Sequence, residues 1–203
     1  MTLTDLPLFP LQSVLFPLGR LSLRIFETRY LDLMSRCLVA DRPFGVVCLQ
    51  QGSEVRQAGQ TVRFEPVGVL ARLLSADSDQ PGVLKAVCLG GARFRWTTLS
   101  EQANGLWVAT QAEQLPDDPH LPLAAAHQPA AQALARALTL LAAREGHSGG
   151  PMHLDDTAWV ANRWCELLPI PLAARQKLME LTDPAARMDL VDRFLRDKQL
   201  LQG

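Results

Sequence analysis

The sequence predicts an α+β chain: a curled, antiparallel β-sheet or pseudo-barrel carrying one inserted helix, followed by a C-terminal helical bundle. Three observations carry that prediction. Apolar residues alternate with period two through much of the first half of the chain, as half-buried strands require, and they recur at helical spacing through the second half. Between the two regimes stands Leu115-Pro116-Asp117-Asp118-Pro119, a dense cluster of chain breakers that divides a β-rich unit, 1–117, from a helical unit, 118–203.

Each element has its own signal. Residues 20–25 place Leu21, Leu23 and Ile25 on one strand face and Arg20, Ser22 and Arg24 on the other. The spacing of Phe26, Tyr30, Leu33, Met34 and Cys37 predicts a helix over 26–38 whose apolar stripe seals one end of the sheet. Further strands are expected at 44–49, 61–77, 83–99 and 106–115. Gln51-Gly52, Gln80-Pro81-Gly82 and Asn104-Gly105 separate them, the last suited to a tight hairpin because both residues tolerate positive φ. Gly90-Gly91 inside a strand pattern predicts a bulge or sharp bend. In the second half, 129–144 carries Leu134, Leu138 and Leu141 on one stripe, and 156–168 carries Val160, Trp164, Leu167 and Leu168. Pro171 opens a short helix to Leu181. Asp183-Pro184 opens the last helix, with Asp as N-cap and Pro at the first helical position, and Met188, Val191, Phe194 and Leu195 form its apolar face.

Composition excludes several functions. At 203 residues and 48% hydrophobic, the chain is large enough to bury a real core without metal or disulfide staples. Twenty Lys+Arg against 21 Asp+Glu give no overall drive toward phosphate backbones or anionic lipid. Residues 1–102 hold 11 basic and 9 acidic residues, and 103–203 hold 9 and 12, so nucleic acid is not the expected partner. No apolar run approaches the ~20 residues of a membrane span, and no basic segment precedes the first apolar residues, so a cytoplasmic location is expected. Cys37, Cys48, Cys88 and Cys165 are then expected to be reduced, mostly buried thiols. No cofactor is expected. Lys85, Lys177 and Lys198 are followed by Ala, Leu and Gln, which rules out a P-loop, and no Rossmann glycine pattern follows a strand.

One string invites a catalytic reading. Gly146-His147-Ser148-Gly149-Gly150-Pro151 satisfies G-x-S-x-G and is similar to a serine-protease nucleophile string with His in place of Asp. The residues before it read as helix where a nucleophile elbow needs a strand. The only later histidine, His153, precedes both plausible acids, Asp155 and Asp156, which breaks the hydrolase order, so a Gly/Ser linker is the plainer reading. His147 and His153 match no zinc pattern. Arg93-Phe94-Arg95-Trp96 alternates cation and aromatic, so one face could stack on bases or peptide, although a core strand with solvated arginines gives the same pattern. Phe26-Glu27-Thr28-Arg29-Tyr30 gathers a carboxylate, a guanidinium and a phenol, better explained as a structural ion pair fixing the helix on the sheet than as catalysis.

The N-terminal strings are more specific than these motifs. Leu6-Pro7-Leu8-Phe9-Pro10-Leu11, Val14-Leu15-Phe16-Pro17-Leu18-Gly19, Leu21-Ser22-Leu23-Arg24-Ile25-Phe26-Glu27, Arg29-Tyr30 and Phe44-Gly45-Val46-Val47 resemble the N-terminal substrate-binding domain of Lon proteases, particularly its stand-alone bacterial versions. Val67-Gly68-Val69-Leu70-Ala71 and Gly91-Ala92-Arg93-Phe94-Arg95 look like that family's later strands. Glu166-Leu167-Leu168-Pro169, Lys177-Leu178-Met179-Glu180-Leu181 and Asp183-Pro184-Ala185-Ala186-Arg187 resemble its helical end. The resemblance implies a PUA-like curled sheet plus a helical bundle, and a non-enzymatic module that recognises unfolded or specific polypeptides, as an adaptor in protein quality control or a homo-oligomer. Full-length Lon adds an ATPase and a Ser/Lys peptidase, for which these 203 residues have neither motif nor room. The expected binding residues are Phe9, Phe16, Arg24, Glu27, Tyr30, Arg93 and Trp96, drawn from the proline-rich 7–17 segment and the sheet. An RNA-binding PUA-like protein and a small hydrolase using Ser148 are the competing readings.

Overall fold

The first unit is built from β1 (Thr2–Leu11), β2 (Arg20–Ile25), α1 (Thr28–Ala40), β3 (Phe44–Gln51), β4 (Arg63–Phe64), β5 (Val67–Gln80), β6 (Val83–Glu101) and β7 (Trp107–Gln114). The second contains α2 (Gln128–Glu145), α3 (Thr157–Leu167), α4 (Leu172–Glu180) and α5 (Pro184–Asp197). These elements come from a computed structural model that describes residues 1–54, 59, 61–145 and 151–201. The chain divides into two compact units, Met1–Asp117 and Asp118–Gly203.

In the first unit the strands curl until the pairing path returns on itself. β1 pairs antiparallel with β7, β7 with β6, β6 with β5 and β5 with β3, and β3 pairs parallel with β1. β2 adds to β6 and β4 to β3. The parallel β1–β3 pair needs a crossover, which β2 and α1 supply. Closure at β1 is incomplete: Leu8–Leu11 pair with β3, whereas the pairs of Thr2–Pro7 are with β7 only. Leu8, Val47, Leu49, Phe64, Leu70, Phe94 and Ala109 fill the interior of the ring.

Most of the expected strands form, with two instructive differences. Stretch 61–77 splits into β4 and β5 at Glu65-Pro66, where proline cannot donate to a ladder. Segment 7–17, expected to present apolar surface, instead runs through β1 into the core: Phe9, Val14, Leu15 and Phe16 are all buried. Helix α1 starts at Thr28, so Phe26 falls outside the expected apolar stripe, while Tyr30, Leu33, Met34 and Cys37 are buried as that stripe requires.

Gly90 shows why the sheet needs a glycine there. The register shifts between Val69 and Ala71 opposite Arg93 and Gly90, which makes a bulge on β6. The loop after β1 lies directly against it. Leu18 N–H donates to the Gly90 carbonyl at 2.9 Å, and Gly90 N–H donates to the Gly19 carbonyl at 2.8 Å. A Cβ on Gly90 would run into the carbonyl oxygen of Phe16.

In the second unit α3 is the central helix. Every residue from Thr157 to Cys165 is buried, the signature of a helix enclosed on all sides. Asp156 caps it by accepting from Trp159 N–H at 2.7 Å, and Trp164 Nε1 donates to the Ala130 carbonyl at 3.0 Å. Asp183 caps α5 through Ala185 and Ala186 N–H, with Pro184 in the first turn, as the sequence predicts. The stripe expected on α2 is graded rather than uniform: Leu134 is buried, Leu138 half-buried and Leu141 exposed. A fully buried Arg187 ties the unit together. Its guanidinium forks onto Asp118, through Nη1 at 2.9 Å and Nη2 at 3.1 Å, and donates to Asn162 Oδ1 at 2.8 Å. Nε donates to the Leu178 carbonyl at 3.0 Å and Nη2 to that of Leu181, so the ends of α4 and α5 are held by one side chain.

All four cysteines are buried and free of disulfides. Among the described residues no helix is long and apolar enough to cross a membrane. Ser148 and His147 lie outside the described residues. His153 packs edge-on against Trp159, with ring centroids 5.8 Å apart.

Candidate functional site

A cleft of about 320 Å³ opens on the first unit, where β1, β2 and the start of α1 converge. Strand alternation builds one wall. Leu23 and Ile25 point into the core, so Ser22 and Arg24 point out, and Arg24 reaches the cleft. By the same parity Phe26, one residue beyond Ile25, points outward, and it stands at the mouth of the cleft with 57% of its surface exposed. The chain then turns into α1. The Glu27 carbonyl accepts from Tyr30 N–H and Leu31 N–H, both at 3.0 Å, which leaves the Glu27 side chain beside the opening.

The floor is aromatic and rigid. Phe9 of β1 stacks on Tyr30 of α1 with ring centroids 4.2 Å apart, and Phe9 also meets Phe44 at 6.1 Å. Arg29 fastens the helix from behind. Its guanidinium pairs with Glu27 at 2.9 Å, donates to the Gly105 carbonyl at 2.6 Å and lies 4.5 Å from the Tyr30 ring centroid. The Phe26–Tyr30 string is therefore the structural ion pair expected of it. At the far rim, Gln12 N–H donates to the Glu54 carboxylate at 2.5 Å. Burial pushes the Tyr30 hydroxyl up to about 12, Arg29 opposes that shift, and Glu27 and Glu54 add to it. Tyr30 thus stays a neutral hydrogen-bonding group at any physiological pH. The arrangement can hold an apolar side chain on an aromatic floor, between Arg24 and the carboxylates Glu27 and Glu54.

The structure brings Phe9, Arg24, Glu27 and Tyr30 to this cleft and places the other three expected residues elsewhere. Phe16 is fully buried beneath the Gly90 bulge. Arg93, expected to be solvated if its strand were simply alternating, is only 1% exposed, and its neighbour Phe94 is fully buried, so both faces of β6 are covered at that point. Arg95 alone of that pair reaches solvent. Trp96 is half-buried, and its Nε1 donates to the Glu65 carbonyl at 2.9 Å, so its polar handle is spent inside the unit. Burial of Arg93 takes it out of the cation-aromatic face that an RNA-binding reading requires. Phe26 is the residue that sequence reasoning placed in the core by mistake. The strand parity of 20–25, carried one position further, was the signal for it.

Among the described residues, no group of three His, Cys, Asp or Glu side chains is placed to hold a metal ion. Residues 5–197 match the model of the substrate-binding domain of the ATP-dependent protease La (Lon). The Lon N-terminal domain protein from Xanthomonas campestris is 32% identical, superposes with a TM-score of 0.71, and is aligned over 93% of this chain and 97% of its own. The N-terminal domain of the Mycobacterium avium complex Lon protease, at 16% identity and a TM-score of 0.61 over 95% and 98% of the two chains, shares the fold. No curated protein matches the chain. A family match across almost the whole length, together with a relative of this identity and coverage, places the chain in the Lon substrate-binding domain family.

Proposed function

We propose that this chain is a non-enzymatic recognition module for polypeptides and works as an adaptor that presents unfolded or specific protein clients. The single observation that carries the reading is the cleft at the β2–α1 corner, where an exposed Phe26 and a preformed Phe9–Tyr30 floor meet charged groups of both signs. Unfolded chains offer what such a site needs, namely free apolar side chains flanked by polar backbone. Membership of the Lon substrate-binding domain family supports the same reading. The chemistry of the site fits binding alone, since Tyr30 is held neutral and Glu27 is engaged by Arg29.

The test is fluorescence anisotropy of the full chain against two probes: a permanently unfolded protein, reduced and carboxymethylated, and a single-stranded RNA oligonucleotide. Saturable binding of the unfolded protein that changes little between about 50 and 200 mM salt supports the proposal. Binding of RNA alone, with an affinity that falls steeply over that salt range, overturns it.

A further inference from the structure

A larger groove, about 820 Å³, lies between the first half of β1 and the second half of α1. Leu6, Leu33 and Cys37, all buried, form its floor, and Val39 stands on its lip with 91% of its surface in water. One wall is residues 3–7 of β1, within the Thr2–Pro7 stretch that pairs only with β7. A strand paired on one side directs alternate N–H and C=O groups outward from the other, so this wall is an open sheet edge about 20 Å long. Asp5, at φ 54°, breaks the regularity of that edge. Such a break guards against indiscriminate pairing, so docking has to be selected by side-chain fit. Arg36 and Arg42 also line the groove, against the single carboxylate of Asp5, and neither arginine takes part in an ion pair among the described residues.

We propose that this groove takes an extended client segment, added as a strand beside Thr2–Pro7, with apolar side chains on the Leu6–Leu33–Cys37 floor and a carboxylate toward Arg36 and Arg42. The proposal rests on the polypeptide-recognition reading above and supplies the main-chain contact that the Phe26 cleft lacks. Hydrogen bonds to the peptide backbone are indifferent to sequence, and pockets for alternate side chains add the preference. A client of acidic, apolar character follows from the surplus of cations in the wall. A second copy of this chain fits less well, because antiparallel pairing centred on Asp5 would set two carboxylates opposite each other.

The experiment uses the full chain and three fluorescein-labelled peptides: Glu-Val-Thr-Val-Thr-Val, and the same peptide N-methylated at either its odd or its even amides. Strand addition uses one alternate set of amides. One methylated peptide is therefore expected to bind at least tenfold more weakly than the parent, and the other within about twofold of it. Val39→Asp and Arg42→Glu, both at exposed positions that leave the fold intact, are expected to weaken the parent peptide about tenfold, and Leu140→Ser, at an exposed position on α2, to leave it unchanged. Equal binding of all three peptides, equal loss by both methylated forms, or sensitivity to Leu140→Ser in place of Val39→Asp overturns the proposal while the recognition reading stands. So does an unfolded protein that binds when the parent peptide does not. A dimer on gel filtration that Val39→Asp dissociates and the peptide does not would assign the edge to self-association and overturn it as well. Failure of both unfolded protein and peptide to bind removes the recognition reading beneath it.

Discussion

Replacing Phe26 with alanine separates binding from folding more cleanly than any other change at the cleft. A phenylalanine side chain presents about 200 Å² when fully accessible, and 57% of Phe26 is exposed, so about 115 Å² remains to be covered by a bound client. At about 25 cal/mol per Å² that area is worth at most about 3 kcal/mol, or roughly a hundredfold in Kd. Ordering the client consumes part of it, which brings the expected loss to tenfold or more. The fold loses little, because the truncated surface already lies in water, and the unfolding free energy should move by no more than about 0.5 kcal/mol. The assay pairs anisotropy of a labelled, carboxymethylated protein with urea unfolding of the same samples. An unchanged Kd at an unchanged urea midpoint would refute the reasoning, since it would mean that the exposed ring contributes no contact.

The other predictions concern what holds each unit together and how the buried thiols respond to pH. Arg187→Met leaves Asp118, Asn162 and two helix-end carbonyls without their donor, and should cost about 3–5 kcal/mol in urea unfolding; a loss under 1 kcal/mol would show that water replaces the guanidinium. Gly90→Ala should lower stability by about 1–3 kcal/mol or more because its Cβ meets the backbone oxygen of Phe16, whereas Gly91→Ala, whose nearest neighbour is the Leu70 carbonyl oxygen at an ordinary 3.5 Å, should be close to neutral; equal Tm values for the two variants would contradict the packing described. Burial raises the thiols of Cys48 to about 11 and of Cys88 and Cys165 to about 12, from an ordinary 9.0. Below pH 9 both folded and unfolded chains keep these protons and stability is whole. Above it the unfolded chain ionises first, so stability should fall as pH rises toward 11–12, by up to about 1.4 kcal/mol per pH unit for each thiol. Urea midpoints between pH 8 and 10.5 check this, and a flat profile would count against it. Iodoacetamide at pH 8 should leave all four thiols unreacted until the chain is unfolded.

Local chemistry was legible wherever the cause was local. The parity of 20–25, the turn at Gln80-Pro81-Gly82, the capping Asp183-Pro184 and the apolar spacing of Tyr30, Leu33, Met34 and Cys37 all predict what forms, because each depends on neighbours within one or two turns of chain. β1 was hidden because Pro7 and Pro10 argue against a strand, yet Pro7 lies opposite Val108 of β7 and Pro10 opposite Val47 of β3. The cleft was half legible. Phe9, Arg24, Glu27 and Tyr30 do meet there, but the exposed ring among them is Phe26.

The sequence by itself determined the class, a sheet followed by helices, the family and the near-neutral charge, all of which depend on patterning, motif order and composition. Tertiary structure alone decided which side chains face water. Arg93 read as a solvated charge and is buried, Phe16 read as a contact residue and is core, and Phe26 read as core and is exposed. The physical reason is that burial depends on what packs against a face from elsewhere in the chain. The same holds for the open edge of β1, which exists only because β3 pairs with Leu8–Leu11 and no further.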